Sequence, residues 1–571
     1  MKKKLPIITS DFATLVGGGG YYVDKTRYIR ILEELNFPNI FFLRPRRFGK
    51  SLFLSMLEYY YGMQHAERFD ELFGEYFIGK PENVTSLRSS YFVLKFNFSG
   101  IDTGIEEEIR FKFDEEVRSA IKMFLYTYGI GREEEINNAI EPTDSASLLR
   151  RFITLFVKYK RGSKIFVLVD EYDHFTNELF SFNRGHFSEA VAGNGWVRKF
   201  YEVIKQYMGD GIIVRFFATG VTPVTLDSMT SGFNVAKNIS LDRRFNEMAG
   251  FTRFELEELV RSTLWEDGKF DFNKVIDDMR EWFNGSRFSL DGVEKLYNPQ
   301  LAVNFLSDFS ALNEYPTNFI DVNVVSDFRK ISSILAPLPG GKRDGLIEDV
   351  LDDDLIKDGL TIQYNLENDF SRKDAVSLLY YNGLLSIEDS FGDLITYTIP
   401  NYVIKQLYWE YFRADLEKKN AFSMDHNAVG EVLREMSIDG GIDRLVNYAN
   451  VITGSLSFRD LQGFSEKHLK MVFMTIFAGN KLFFVSSERE VNSGYVDILL
   501  KRTGFNPGHF DHLIELKYLK TDQLKDIENV RMEGTLQASR YRDSLPAEEQ
   551  VNLKSWLIIS SGKKIIEYHS V

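Results

Sequence analysis

Along the first half of the chain, short apolar runs of strand length alternate with longer stretches whose apolar residues recur at helical spacing. NIFFL (39–43) is a run of the first kind, and SLFLSMLEYYYG (51–62) follows it as a helix that stops at Gly62. KIFVLVDEYDHF (164–175) opens with the strand-like IFVLVD, and GIIVRFFATGV (211–221) supplies the next strand. Beyond residue 251 the pattern turns mostly helical. TRFE (252–255) is a capping box, in which Thr and Glu satisfy backbone N–H groups at a helix start, and Asn-Gly and Asn-Pro turns interrupt the region at FNGSRFSLDGVEKLYNPQ. A helix-like KDAVSLLYYNG (373–383) precedes LLSIEDSFGDLITYTIPN, two alternating runs across a Gly-containing turn, which predicts a winged-helix-like element. Near the end come an amphipathic helix over SEKHLKMVFMTIFAG (465–479), a strand DILL opened by Asp497, a second strand HLIELKYL and a helix over TLQASRYRDSL (535–545).

With 571 residues the chain is too long for one core, and a domain size of roughly 150 residues divides it into three or four. Its 44% hydrophobic and 27% charged residues are those of a globular protein, and 49 Phe and 28 Tyr furnish large cores. No apolar run reaches the roughly 18 residues needed to cross a bilayer, and MKKKLPIITSDF lacks the apolar stretch of a leader. The expectation is a soluble, unprocessed, cytoplasmic chain that enters no membrane. The absence of cysteine removes disulfides, thiolate metal sites and Cys nucleophiles, in keeping with a reducing interior.

A net charge of -14 argues against coating nucleic acid by bulk attraction, yet leaves room for a local basic groove. The charge is uneven. LIEDVLDDDLIKDGL (346–360) reads as an acidic, solvated face, whereas Arg44, Arg46, Arg47 and Lys50 make FFLRPRRFGKSLF (41–53) basic. The acidic approach and the few cations in the hairpin favour a structural or interdomain role over DNA contact for the winged element. GGGG (17–20) reads as a flexible turn, since no strand and helix flank it.

FFLRPRRFGKSLF is also a phosphate-binding turn with one part replaced. The usual pattern G-x-x-x-x-G-K-[ST] ends here in Gly49, Lys50 and Ser51, and Arg44 stands in the place of the first glycine. Strand, turn and helix come in the order an anion cradle needs, because the helix N-terminus and the N–H groups of the turn converge on phosphate. Lys50 can reach the β- and γ-phosphates, and the Ser51 hydroxyl can ligate Mg2+. Arg44, Arg46 and Arg47 either add charge-assisted contacts to phosphate or, for two of the three, point to solvent; Arg44 and Arg47 are kept as candidate nucleotide ligands. Asp170, at the end of IFVLVD, would hold Mg2+ through water, and Glu171 would polarise the attacking water. Thr219, beside Gly220 at the end of the next strand, is a candidate sensor of the γ-phosphate. Arg243 and Arg244 are candidate arginine fingers, in cis or from a neighbouring subunit.

A second chemistry is carried by the last hundred residues. Asp497 and Glu515 lie on successive strands that can bring them together at one end of a sheet, and alternation puts Glu515 and Lys517 on one face. Two such carboxylates can bind one or two Mg2+ ions that polarise a phosphodiester and generate hydroxide, while Lys517 positions water or neutralises the pentavalent phosphate. Gln537 and Tyr541, four apart, share a helix face. His468, His509 and His512 lack tight metal-ligand spacing and read as core or solvated histidines.

YYVDKTRYI (21–29), RPRRFGKS (44–51), VDEYD (169–173), WFNGSRF (282–288) and YNP (297–299) resemble the bacterial AAA-ATPase-like family that is often fused to a PD-(D/E)XK nuclease. The resemblance is close over residues 5–310 and looser beyond. It implies that the arginine at the first P-loop position is a family trait, that an ATP-binding core is followed by a small lid, and that the C-terminal region is restriction-endonuclease-like. In that pattern Glu466, or its competitor Glu490, supplies an outer carboxylate, and Gln537 orients the water or a backbone phosphate.

The expected organisation is a multidomain α/β chain: an AAA-like P-loop core with a parallel sheet over 1–250, a helical lid over 251–345, a winged-helix-like and helical connector over 346–455, and a nuclease-like α/β domain over 456–571. The expected function is an ATP-dependent or ATP-regulated, Mg2+-dependent nuclease. Its substrate is nucleic acid, DNA favoured over RNA, in defence against foreign DNA or its processing. Homo-oligomer formation stays open. The alternative is a non-catalytic, nucleotide-switched interaction or assembly protein with a degenerate nuclease domain.

Overall fold

A computed structural model describes residues 3–101, 106–176, 195–224, 236–265, 270–292, 294–312, 315, 324–352, 355–364, 369–420, 423–455, 465–491 and 494–571. The chain forms two compact units, one of Met1–Asn313, Ser333–Leu338 and Lys357–Pro400, the other of Glu314–Ser332, Pro339–Ile356 and Asn401–Val571. The segment 346–455 is thus shared between them.

In the first unit β1 (Asn39–Leu43), β2 (Phe92–Asn97), β3 (Ile165–Asp170), β4 (Ile213–Gly220) and β5 (Lys237–Asn238) form one sheet. Their order is β2-β3-β4-β1-β5, and every pairing is parallel. β1 and β3 are buried along their whole length. A parallel strand covered on both faces needs apolar residues at every position, which is why NIFFL and IFVLV read as unbroken runs. Because β4 lies between β1 and β3, Leu43 pairs with Gly220 and Val169 with Ala218, so the carboxyl ends of the three strands meet at one edge. Ligands of open α/β sheets bind at that edge.

The helix Arg253–Thr263 starts as the sequence predicts, with Thr252 and Glu255 in a capping box. Glu255 also anchors a distant segment. Lys25, buried, donates to its two carboxylate oxygens at 2.6 and 2.7 Å and to the Glu247 carbonyl at 2.9 Å. The lysine of YYVDKTRYI thereby ties the N-terminal segment to this helix. Further along, the helix Arg372–Tyr381, capped by Ser371, leads into an antiparallel hairpin of β7 (Ser386–Phe391) and β8 (Leu394–Thr398), to which β6 (Leu355–Asp358) adds a third strand.

The second unit carries a mixed sheet of β9 (Phe483–Val491), β10 (Gly494–Arg502), β11 (Asp511–Leu519), β12 (Leu553–Ser561) and β13 (Lys564–Ser570), in the order β13-β12-β11-β10-β9. β10 begins at Gly494, before Asp497, where the sequence places the strand start. β11 and β12 run parallel, and the helix Ile527–Ser544 is the crossover that such a pair requires. Leu499 and Leu513 pack with Ala538 and Tyr541 of that helix, and Leu519 packs with Leu557 and Ile559. By alternation Asp497, Glu515 and Lys517 lie on this helix-covered face.

Candidate functional site

The P-loop turn is built from a strand end, two residues in left-handed backbone and a helix start. Gly49 caps the helix Lys50–Tyr61 at φ 89°, a region that suits glycine, and Arg47 sits at φ 71°. Lys50 is buried, and its ammonium donates to the Pro45 carbonyl at 3.1 Å. Burial pulls the Lys50 pKa down, while Glu171, Asp170 and Asp173 hold it up. Arg47, Gly49, Lys50, Ser51 and Glu171 line a cavity of about 540 Å3, together with the apolar Ile7, Ile8 and Val303. A lining that combines a lysine, a serine and the turn glycine with apolar side chains suits a nucleotide.

Arg44 is held inside the protein. Its N–H donates to the Gly220 carbonyl at 3.1 Å, which extends the β1–β4 ladder by one residue and turns the side chain inward. The guanidinium is 4.4 Å from the Phe42 and Phe288 rings and donates to the carbonyls of Leu43, Ser240 and Phe245 at 2.7–2.8 Å. Burial pushes its pKa down to about 9. It braces the interior through its two terminal nitrogens. A guanidinium suits this post because its planar fork spreads several donors over separate carbonyls.

Thr219 likewise serves the protein. It is fully buried, and its hydroxyl donates to Asp170 Oδ1 at 2.6 Å, which orients the acid. Arg243 and Arg244 are exposed, Arg244 pairs with Asp242 at 2.6 Å, and neither lines the cavity of its own chain. Asp173 and His174, to which no role falls on sequence grounds, also belong to this end of the sheet. Asp173 accepts the N–H groups of Val221 and Thr222 at 2.6–3.1 Å, clasping the turn after β3 to the end of β4. Gly220 makes room for that clasp, since a Cβ there would lie 2.3 Å from Asp173 Oδ1. A second acid two residues after Glu171 was the available signal.

In the second unit, β10 and β11 pair antiparallel with Ile498 facing Ile514, and one step further along this register Asp497 faces Glu515. Asp497 Oδ2 accepts the Leu516 N–H at 2.7 Å. Glu515 is fully buried, and Lys517 donates to its Oε1 at 2.7 Å. Its other oxygen, Oε2, is buried with no hydrogen-bond partner among the described residues. Burial and then the facing Asp497 push the Glu515 carboxyl up to about 8, with Lys517 pulling the other way and Glu466 adding to the rise. Burial pulls Lys517 down, but Glu515, Glu466 and Asp497 together keep its ammonium above the usual lysine range.

Glu466 opens the helix Glu466–Phe477, and its field reaches both Glu515 and Lys517. The side chain of Glu490 lies outside the described residues. Gln537 donates to the Tyr541 hydroxyl at 2.6 Å across one turn of the helix Ile527–Ser544. Among the described residues, no group of three or more His, Asp or Glu side chains is gathered tightly enough to hold a metal ion by itself. An orphaned carboxylate oxygen beside a second carboxylate does fit a divalent ion whose remaining ligands are backbone oxygens, water or substrate phosphate. Two histidines of this unit make internal contacts: the Trp556 indole N–H donates to His512 Nδ1 at 3.2 Å, which leaves Nε2 to donate to the Met436 carbonyl at 2.8 Å, and His468 Nδ1 accepts the Ser465 N–H at 3.2 Å. Burial drops the pKa of His512 to about 4.

A family model described as a predicted AAA-ATPase matches residues 6–230, and one for the PD-(D/E)XK nuclease superfamily matches residues 464–569. Among curated proteins the chain is similar to one described as "Uncharacterized protein in vnfD 5'region" from Azotobacter chroococcum mcd 1. The two are 27% identical over 308 residues, which is 52% of this chain and 51% of that protein. The chain thus spans about half the length of the curated relative it matches. No described helix is long and apolar enough to cross a membrane.

Proposed function

We propose that this chain, which joins an AAA-ATPase-like domain to a C-terminal domain of the PD-(D/E)XK nuclease superfamily, is a nucleotide-regulated, Mg2+-dependent nuclease acting on DNA. The observation that carries this reading is the buried Glu515 carboxylate, with one oxygen held by Lys517 and the other without a partner among the described residues. A group left so costs stability unless a ligand completes it.

Asp497 and Glu515 would hold the ion, and Mg2+ bound there would supply Lewis-acid polarisation of the phosphodiester and a more acidic water. Lys517 stays protonated beside Glu515, so it acts as a cation that meets the developing charge on phosphorus and not as a base. Gln537, one turn from Tyr541, positions the water or a neighbouring phosphate. At the other site Lys50 would exchange the Pro45 carbonyl for phosphate, Ser51 and, through water, Asp170 would hold the nucleotide's Mg2+, and Glu171 would polarise the attacking water. Binding or hydrolysis of ATP then regulates the nuclease, and the DNA substrate belongs to defence or to the processing of foreign DNA.

A cleavage assay on DNA and on RNA with Mg2+, with and without ATP, comparing wild type, Lys50→Ala and Lys517→Ala, tests the reading. DNA cut by wild type alone means an ATP-dependent nuclease, and cleavage lost only in Lys517→Ala means an ATP-independent one. The absence of a three-ligand metal cluster among the described residues favours a second reading, a nucleotide-switched interaction protein. No cleavage in any variant, with ATP still bound, would select it.

A further inference from the structure

His174 stands between two charged side chains that meet it at one nitrogen. Arg46, in the phosphate turn, has Nη2 3.0 Å from His174 Nδ1, and Glu171 Oε2 lies 3.3 Å from the same atom. An imidazole nitrogen presents either a lone pair or a proton in the ring plane. Nδ1 therefore accepts from Arg46 or donates to Glu171, and does not do both. While Arg46 is bound, Glu171 faces a lone pair and is not held by the ring.

The backbone supplies an independent observation. Glu171 has φ 50°, a left-handed conformation that costs a non-glycine residue about 1 kcal/mol. The turn is pinned in that state: the Tyr172 N–H donates to the Thr219 carbonyl at 2.9 Å, the His174 N–H donates to the Glu171 carbonyl at 3.1 Å, and the Tyr172 hydroxyl donates to the Thr222 carbonyl at 2.6 Å. Glu171 and His174 are thereby delivered to one place, and the choice of partner is left to the side chains.

Resting on the nucleotide reading above, we propose that His174 is the positioning residue of Glu171 and that Arg46 controls it. A γ-phosphate in the cradle draws Arg46 off Nδ1. The ring then takes a proton at Nδ1 and releases one from Nε2, both through water and with no change of charge, and the new N–H holds Glu171 Oε2 for the attacking water.

The test has two parts on the full chain. Imidazole 15N resonances of the nucleotide-free protein, with His174 assigned by its loss in His174→Ala, should show a bare Nδ1 that gains the proton in Arg46→Ala. In ATP turnover with Mg2+, His174→Ala should lower kcat by about 30-fold while KM moves by less than about threefold. His174→Asn, which keeps a donor near the Nδ1 position, should recover most of the loss, and His174→Ala should add little in a Glu171→Gln background. A protonated Nδ1 in the nucleotide-free wild type, a tautomer indifferent to Arg46→Ala, or a kcat loss that Asn does not recover would overturn the proposal. A wild type that turns over no ATP would sink the nucleotide reading instead, and the Nδ1 resonance in Arg46→Ala would still decide whether the relay exists.

Discussion

Around the P-loop, Lys50 rests on a carbonyl, Asp170 on a threonine hydroxyl and Asp173 on two N–H groups, whereas at the C-terminal carboxylates one oxygen of Glu515 has no hydrogen-bond partner among the described residues. The first site is preformed and held by internal contacts that a ligand must replace. The second is electrostatically incomplete, with a carboxyl pushed up to about 8 by burial and by Asp497. The contrast separates two ways of readying a site: strain and clasping in one, unbalanced charge in the other.

That comparison can be broken most directly at Lys517. Lys517→Ala should reduce Mg2+-dependent cleavage by at least about 10^3-fold, measured as initial rates on linear DNA, because the proposed mechanism uses its ammonium to meet the charge on the phosphate. An unchanged rate would mean the second site does not depend on this charge. Lys50→Ala should weaken nucleotide binding by about 100-fold, read from titration with a fluorescent ATP analogue. Binding that survives intact would place the phosphates elsewhere.

The brace at Arg44 gives a stability effect. Arg44→Met should lower the stability of the first unit by about 3 kcal/mol, seen as an earlier first transition in urea, since several carbonyls lose their donor together. If nucleotide affinity fell with no loss of stability, Arg44 would be a phosphate ligand after all. The smallest effect concerns acid. The folded pKa of His512 lies near 4, below its ordinary 6.5, so the stability it contributes is full above pH 6.5 and is lost as pH falls toward 4. The loss should reach at most roughly 3 kcal/mol in the second unit. Urea midpoints from pH 7 to pH 4 that stay flat for this unit would show that His512 is not buried neutral.

Much of both sites is legible in local pattern. The end of the P-loop motif sits where β1 gives way to the helix Lys50–Tyr61, and Glu515 and Lys517 share a face because strand side chains alternate. Thr219 was readable as a strand-end hydroxyl but not as the partner of Asp170, because that pairing depends on β4 inserting between β1 and β3. His174 carried no signal beyond its place after an acidic turn.

By itself, the order of residues marked the strands that carry the P-loop motif and the acidic turn, the helix after the motif, and the strand face shared by Glu515 and Lys517, since periodicity and motif spacing act over a few residues. Tertiary structure alone decided that Arg44 braces the core, since one of its acceptors, the Phe245 carbonyl, lies 201 residues away. It also decided the proton affinity of Glu515, because burial and the field of Asp497 are properties of the folded surroundings and are written in no single stretch of chain.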